Sequence, residues 1–509
     1  MSGFEAPQPA SDFASGRSNV GFNSAQTNGP VTTSFTQGNN TIGSASLPNV
    51  VNARRALLER SNTYMQDVVS EIQTAPIFTE TVREAAEKGG ASLFSQYGLI
   101  AGDAHLPSRS EEMLYYNVAA PSSTFVCGSQ GSGKSHTLSC LLENCLFKSE
   151  ANELPRPLTG IVFHYDTFSS DDVGTACEAA HLASNRNVKV RVLCAPTNVG
   201  SMTRTYAGMN IDVEPLRIRE QNLNTKRMVD LMSVKVGGAT PLYMHVVNRI
   251  LRELRIKQQQ TPGAQFNYRA FRQMLNQEDL TDHQRVPLDQ RLDNLESFMA
   301  RNRQPGNDWT PRAGQLTVVD LSCPCVTPEG ACQLFNICLS LFLEQNKEVG
   351  RVVALDEAHK YMNESGESSA LTENLLATIR LQRHLAARII ISTQEPTISP
   401  KLLDLCSVTI VHRFTSPEWL RALQKHLAGV SEVSGTVKAT NGSGLGSDHA
   451  RSLFAQIVQL RVGEALLFAP SAILRPDGQA QVVKLSDGVL KIRVRKRVTN
   501  DGGRSIMAA

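Results

Sequence analysis

The sequence predicts an α/β protein whose mostly parallel sheet is sandwiched by helices. A glycine-rich stretch, GSQGSGKS at Gly128–Ser135, satisfies the pattern GxxxxGK[ST] between an apolar strand (TFVC) and a helical segment. Short apolar runs that end in polar residues alternate with helical patterns at 160–167, 188–196, 315–322, 352–360 and 388–396. Strands that alternate with helices pair in parallel and are covered on both faces. Together these observations predict a P-loop NTPase fold.

The domain organisation follows from length and from shifts in composition. At 509 residues the chain exceeds what one hydrophobic core usually supports. The first segment is rich in Ser, Asn, Gly and Thr, so it buries too little apolar surface to fold, and we predict disorder there. The predicted regions are a disordered low-complexity tail (1–49), a short helical N-terminal region (50–114), the P-loop domain (115–475) with a mostly helical insertion (200–313), and a C-terminal basic strand and tail (476–509).

The composition bears on where the protein is found in the cell, but it does not indicate a binding partner. A formal net charge of +3 argues neither for nor against nucleic acid, because a local basic stripe can exist within a neutral total. No run of eighteen apolar residues occurs, so we expect no membrane span. The N-terminus has no secretory pattern, and the cysteines follow no metal spacing, Cys323-Pro-Cys325 being read as structural. Free thiols in such a chain fit a cytoplasmic or nuclear protein.

The glycine-rich stretch predicts binding of ATP and Mg²⁺. Glycines permit backbone conformations in which successive N–H groups point at phosphates, and the helix N-terminus that follows adds positive potential. We expect Lys134 to reach the β- and γ-phosphates and the Ser135 hydroxyl to bind Mg²⁺. The candidate ATP-binding residues are Gly128, Ser129, Gln130, Gly131, Ser132, Gly133, Lys134, Ser135 and His136.

Two further strand ends predict hydrolysis. In VVALDEAHK, Asp356 is expected to hold Mg²⁺ through its water shell, and Glu357 to accept a proton from the attacking water. The run IIISTQEP delivers Gln394 to the end of the next strand, where it could sense the γ-phosphate or orient water. Asp-Glu-Ala-His also spells a helicase motif, but the chain lacks the arginine-rich closing motif of those helicases, so we reject that assignment.

These motifs resemble the HerA/FtsK superfamily of hexameric P-loop motors, the additional-strand, catalytic-glutamate ATPases. The resemblance spans 115–475 and is carried by GSQGSGKSHT, FHYD ending at Asp166, VVDLS, LDEAHKYM, RHLAARIIISTQEP and IVHRF. It implies Mg²⁺-dependent ATP hydrolysis by a homo-oligomeric ring that moves DNA or another polymer. It also implies an arginine that reaches the neighbouring subunit's site: Arg383 fits that position, Arg380 is second, and a solvated helix-end arginine is the other interpretation. The small N-terminal β-barrel of HerA proteins has no counterpart that the sequence predicts.

Two questions stay open at this point. The C-terminal LKIRVRKRV alternates apolar and basic residues, which fits an edge strand protected by charge or a contact with a phosphate backbone. The chain could also act as a slow ATP-dependent switch or scaffold with no translocated substrate. Stimulation of turnover by DNA, RNA or unfolded protein would distinguish the motor from the switch.

Overall fold

The computed structural model describes most of the chain from residue 63 onward. The described residues are 52, 63–88, 93–104, 113–167, 174–232, 241–300, 304–362, 365–426, 453–477 and 481–502. The tail predicted to be disordered, 1–49, lies outside them. All elements named below belong to one compact unit, Asn62–Ala509.

Strands and helices alternate through the central part of the chain. The strands are β1 (Ile77–Thr79), β2 (Tyr97–Asp103), β3 (Met113–Asn117), β4 (Ser123–Cys127), β5 (Asn152–Glu153), β6 (Thr159–His164), β7 (Lys189–Cys194), β8 (Ile211–Pro215), β9 (Gln315–Asp320), β10 (Arg351–Leu355), β11 (Ala387–Thr393), β12 (Val408–His412), β13 (Glu464–Phe468), β14 (Ile473–Asp477), β15 (Gln481–Lys484) and β16 (Leu490–Val494). The α-helices are α1 (Thr63–Thr74), α2 (Glu80–Lys88), α3 (Lys134–Leu146), α4 (Val199–Thr205), α5 (Thr225–Met232), α6 (Tyr243–Gln260), α7 (Tyr268–Asn276), α8 (Asp282–Ser297), α9 (Pro328–Leu343), α10 (Gly366–Arg380), α11 (Gln382–Leu385), α12 (Pro400–Leu405), α13 (Pro417–His426) and α14 (453–458).

The parallel half of the sheet has the order β8-β7-β9-β6-β10-β11-β4-β12. Every neighbouring pair in this series is parallel, as the sequence predicts. Strand β11 lies between β4, which precedes the phosphate loop, and β10, which ends at the acidic pair. Because these strands run in the same direction, their carboxyl ends meet at one edge, and the three predicted motifs converge there.

Both faces of the parallel strands are covered. Alternate residues of β10 enter two separate hydrophobic clusters, Val353 with Leu355 on one face and Val352 with Ala354 on the other. Helix α3 packs on the second face, and α5 to α8 of the predicted helical insertion pack on the first. Strand β8 joins the sheet inside the bounds that we predicted for the insertion.

The N-terminal region differs from the prediction. We expected short helices over 50–114, and the structure places β1, β2 and the start of β3 there beside α1 and α2. These strands continue the sheet in the order β15-β14-β1-β3-β2-β16-β13. The strands are short, and β1 and β2 each pair on one side with a strand from the C-terminal part of the chain, β14 and β16, which local periodicity does not indicate.

The C-terminal basic strand is also not an edge strand. Strand β16 pairs antiparallel with β13 on one side and with β2 on the other. The alternation of apolar and basic residues is therefore that of an internal strand with one polar face. Among the described helices, none combines the length and the apolarity needed to cross a bilayer.

Candidate nucleotide site

The phosphate loop is held in place by the chain that follows β12. Gly128 has φ +153°, and a Cβ there would lie 2.6 Å from the Cβ of His412, so a side chain does not fit. The Ser129 N–H donates to the Arg413 carbonyl at 2.9 Å, and the Ser132 hydroxyl donates to the Ser129 carbonyl at 2.7 Å. The loop is thus shaped by hydrogen bonds that leave its glycine-rich turn open to a ligand.

His412 is a buried support for the helix that follows the loop. Its Nε2 lies 2.9 Å from the Thr137 hydroxyl of α3. Its Nδ1 lies 3.1 Å from the Glu464 carbonyl, and because a carbonyl only accepts, Nδ1 carries the proton. Burial lowers the pKa of His412 to about 4, so the imidazole is neutral at ordinary pH. His412 lies within the motif IVHRF, and its sequence position alone indicated no role.

Lys134 is buried at the start of α3. Its Nζ donates to the Ser129 carbonyl at 3.2 Å and lies 4.0 Å from Glu357 Oε1. Burial lowers the pKa of the lysine, and the nearby carboxylates of Glu357 and Asp356 oppose that shift. The ammonium is therefore placed between the loop and the acidic strand end, where the negative charge of a phosphate would stabilise it.

Asp356 is buried at the end of β10 and held by a histidine from β6. The His164 Nδ1 lies 3.1 Å from Asp356 Oδ2, and Cys177 Sγ lies 3.7 Å from the same oxygen. An ionised carboxylate only accepts, so Nδ1 donates. Burial raises the pKa of Asp356, but the hydrogen bond and charge of His164 outweigh burial and lower it. Asp356 lies 192 residues after His164 and 179 after Cys177, so spacing gave no sign of the cluster.

Asp356 fits the predicted Mg²⁺ site. Its second oxygen, Oδ1, is buried and has no hydrogen-bond partner among the described residues. A buried acceptor without a donor is costly, and a hydrated cation would satisfy it. Ser135, the other predicted ligand, follows Lys134 in the chain and lines the same cleft. The residues present are therefore those that could hold Mg²⁺.

Glu357 occupies a strained backbone position next to Asp356. Its φ of +46° and ψ of +46° lie in the left-handed region, which costs a non-glycine residue about 1–3 kcal/mol and is most often found at functional sites. Burial raises the pKa of Glu357, and the adjacent Asp356 charge raises it further. A carboxylate with a raised pKa is a better proton acceptor, which is the role that the sequence predicts.

The glutamine strand reaches the same site. The Gln394 N–H donates to His359 Nδ1 at 3.4 Å, and His359 Nδ1 lies 3.3 Å from Glu357 Oε2. Burial lowers the pKa of His359 to about 4, so this imidazole is neutral and accepts at Nδ1. Because Nδ1 carries no proton it donates nothing to Glu357, so His359 is a common neighbour of the end of β11 and of the predicted catalytic glutamate.

The two candidate arginines, Arg380 and Arg383, lie away from the other predicted site residues. Arg380 ends α10 and Arg383 lies in α11, just before β11, and both side chains are exposed. Neither is among the described residues that line the cleft of their own chain. Leu381, between them, is 49% exposed. The structure thus brings together every predicted site residue near the loop and β10, and leaves these arginines on the surface.

The loop opens into a cleft of about 560 Å³. One wall carries Lys134, Ser135 and Glu357, and the other comes from the C-terminal end of the chain, Arg493–Lys496. His136, a predicted ATP-binding residue, also lines the cleft, and its Nε2 lies 2.8 Å from the Arg495 carbonyl. Nothing in the local sequence of the C-terminal strand indicates that it reaches the phosphate loop.

Fold and site together define a P-loop NTPase whose sheet has an additional strand, β11, between the phosphate-loop strand and the acidic strand. No protein-family model matches the chain, and no curated protein matches it. Solved structures do match. VirB4 of Thermoanaerobacter pseudethanolicus is 12% identical, with 79% of this chain and 97% of that chain covered and a TM-score of 0.47.

Two other matches are of the same kind. The plasmid coupling protein TrwB with ADP and Mg²⁺ is 12% identical over 80% of this chain and 95% of its own, with a TM-score of 0.45. The genome-packaging NTPase B204 of Sulfolobus turreted icosahedral virus 2 is 17% identical over 31% of this chain and 62% of its own, with a TM-score of 0.22. All three are P-loop ATPases of the FtsK/HerA type, the superfamily that the sequence motifs resemble. At these identities and TM-scores, none decides what this chain binds or moves.

Proposed function

We propose that this chain is a Mg²⁺-dependent ATPase that works as a ring-forming, HerA/FtsK-like motor. One observation carries the proposal: Lys134 Nζ lies 4.0 Å from Glu357 Oε1, within the cleft onto which the phosphate loop opens. A phosphate-binding cation beside a carboxylate with a raised pKa is the pairing that hydrolysis of a phosphoanhydride needs. A loop that only bound nucleotide would not require a strained glutamate at this place.

The chain's own groups account for the steps of hydrolysis. The loop N–H groups and Lys134 bind the β- and γ-phosphates. Ser135 and Asp356 would hold Mg²⁺, which neutralises charge on the phosphate oxygens. Glu357, freed from Lys134 when the phosphate takes the ammonium, accepts a proton from the attacking water at its carboxylate. Gln394, whose N–H donates to His359 beside Glu357, would orient that water or report the γ-phosphate.

The ring part of the proposal rests on Arg383. Its side chain is exposed, on a short helix directly before the glutamine strand, so it is positioned to act outside its own cleft. An arginine supplied to a neighbouring site stabilises charge on the transferred phosphoryl group and raises turnover by about 10³–10⁵-fold. The exposed Leu381 beside it adds apolar surface that a second subunit could cover.

The test is ATP turnover measured with and without a polymer, alongside particle size. Duplex DNA, single-stranded DNA, RNA and an unfolded protein are added separately at fixed salt, because contacts with phosphate backbones are strongly salt-dependent. A motor should be stimulated by one class of polymer and should form particles larger than a monomer. A monomer with slow turnover that no polymer changes would contradict the motor and favour the ATP-dependent switch or scaffold.

A further inference from the structure

The cleft extends past the phosphate loop to a wall that the predicted ATP-binding residues do not include. This wall consists of the turn at Val462 and Gly463, before β13, and of Arg493 and Lys496 at the end of β16. The predicted ATP-binding residues, Gly128 to His136, would hold the phosphates of a nucleotide. They leave its base and ribose without an assigned place.

Val462 places an exposed apolar side chain on this wall. It is 69% exposed, one of the most exposed large apolar side chains among the described residues. Its neighbour Gly463 fixes the position: the Gly463 N–H donates to the Ser132 carbonyl of the phosphate loop at 3.4 Å, and the Val494 N–H donates to the Gly463 carbonyl at 2.9 Å. The turn is therefore tied to the loop on one side and to β16 on the other.

The close approach of backbone explains the glycine. Gly463 has φ +82°, and the Cβ that a residue would add at Gly133 would lie 3.3 Å from the Gly463 nitrogen. Two glycines thus let the turn and the loop touch. As a result Val462 is held next to the phosphate cradle, although water surrounds most of its side chain.

Positive charge lies on the same wall. Arg493 Nη2 bonds the buried Glu464 Oε1 at 3.2 Å, and Lys491 Nζ lies 3.2 Å from Glu464 Oε2. The ion pair with the buried Glu464 therefore orients Arg493, while about half of the arginine side chain stays exposed at the cleft. Lys496 lines the cleft close by and is exposed. A guanidinium is attracted to the face of an aromatic ring, and an ammonium to phosphate.

We propose that this wall is the nucleobase subsite, with Val462 covering one face of the base and Arg493 flanking it. The inference rests on the proposed function, because a base reaches this wall only when its phosphates occupy the loop. Apolar contact and a planar cation suit the ring face of a base and read none of its edges. The subsite therefore adds affinity for nucleotides over bare phosphate chains.

Binding of ADP and inorganic pyrophosphate tests this directly, since neither is hydrolysed at the γ-phosphate and only ADP carries a base. Calorimetric affinities are compared in the full chain for wild type, Val462→Ala and the matched control Val458→Ala. Val458 is 37% exposed on α14 and does not line the cleft. We expect Val462→Ala to weaken ADP about five- to tenfold, from the apolar area it removes, with pyrophosphate unchanged within twofold. Val458→Ala should change neither affinity.

The other outcomes separate the two proposals. Equal loss of ADP and pyrophosphate in Val462→Ala, or no loss of either, would overturn the subsite while leaving the phosphate site intact. Wild type binding ADP no more tightly than pyrophosphate would overturn it as well. Wild type binding neither probe would overturn the nucleotide site itself, and the subsite with it. Both variants change exposed side chains, so their melting temperatures should match that of wild type.

Discussion

Glu143 anchors the C-terminal segment to the phosphate-loop helix, and its replacement should release that segment. The side chain is fully buried in α3. One carboxylate oxygen accepts from Arg495 Nη1 at 2.7 Å, and the other accepts from the Thr499 N–H at 2.9 Å and from its hydroxyl at 2.6 Å. The Val498 N–H donates to the same carboxylate at 3.1 Å. Arg495 also donates to the Leu99 and Cys140 carbonyls at 2.8 and 3.1 Å, so Glu143 is its charged partner among several acceptors.

The magnitude follows from what the substitution leaves behind. Arg495 has 7% of its side chain exposed, so Glu143→Ala removes the carboxylate partner of a buried cation, which costs about 3–5 kcal/mol in free energy of unfolding. Glu143→Gln keeps the shape and one oxygen but loses the charge-assisted bonds, so we expect about 2–3 kcal/mol. We therefore also predict that Glu143→Ala is more destabilising than Glu143→Gln.

The same contact predicts a pH dependence. Burial raises the pKa of Glu143, but the bonds from Thr499 and the charge of Arg495 outweigh it, so the folded-state pKa is lowered. A carboxyl whose pKa is depressed on folding contributes stability that is present above its unfolded pKa and lost as pH falls through the folded value. Wild type and Glu143→Gln should therefore differ most near neutral pH and converge in acid.

Two assays check this, with the exposed Glu150→Gln on the turn after α3 as the control. Denaturant unfolding gives the free-energy difference. Hydrogen exchange over 495–502 reports the segment itself, where we expect the Val498 and Thr499 amides to lose protection in Glu143→Gln. Unchanged exchange in that segment, or a stability loss no larger than that of the control, would refute the reasoning.

Two further predictions concern the metal and the subunit interface. Asp356→Asn and His164→Ala should each weaken the Mg²⁺ dependence of nucleotide binding. For His164→Ala we expect the affinity for Mg²⁺ to fall about 10–100-fold, because the variant removes the residue that orients a ligand. Identical Mg²⁺ titrations of nucleotide binding in wild type and His164→Ala would exclude that role. Arg383→Ala should bind ATP as wild type does and hydrolyse it about 10³-fold more slowly or worse. Mixed with Glu357→Gln, it should regain part of the turnover, because some interfaces would pair an intact arginine with an intact glutamate. No recovery in confirmed mixed particles would leave Arg383 without a role across subunits, and the same mixture with Arg380→Ala tests the second candidate.

Local pattern was enough to predict much of the site. The phosphate loop, the acidic pair and Gln394 each follow an apolar run, and the parallel sheet brings the ends of such runs together. His164 also ends such a run, so its strand-terminal position was a usable signal. The run does not indicate the hydrogen-bond partner of His164, because Asp356 follows a different strand, 192 residues later.

The C-terminal wall could not be predicted for a related reason. Glu143 and Arg495 are 352 positions apart, and neither residue type in its own segment indicates the other. The alternation in LKIRVRKRV is the same for an edge strand and for an internal strand with a polar face. Its place between β2 and β13 is decided by long-range pairing that a local period does not encode.

The most direct test of the account is ATP turnover by Glu357→Gln at concentrations where binding is shown independently. At about 100 times Kd, ATP should stabilise both wild type and this variant by roughly 2.7 kcal/mol, while Lys134→Ala, which lacks the loop cation, should gain little. We predict that Glu357→Gln, though stabilised, loses turnover by about 10²–10⁴-fold, the usual contribution of a general base. Turnover equal to that of wild type in the stabilised Gln variant would contradict the catalytic role of Glu357, and with it the proposed ATPase mechanism.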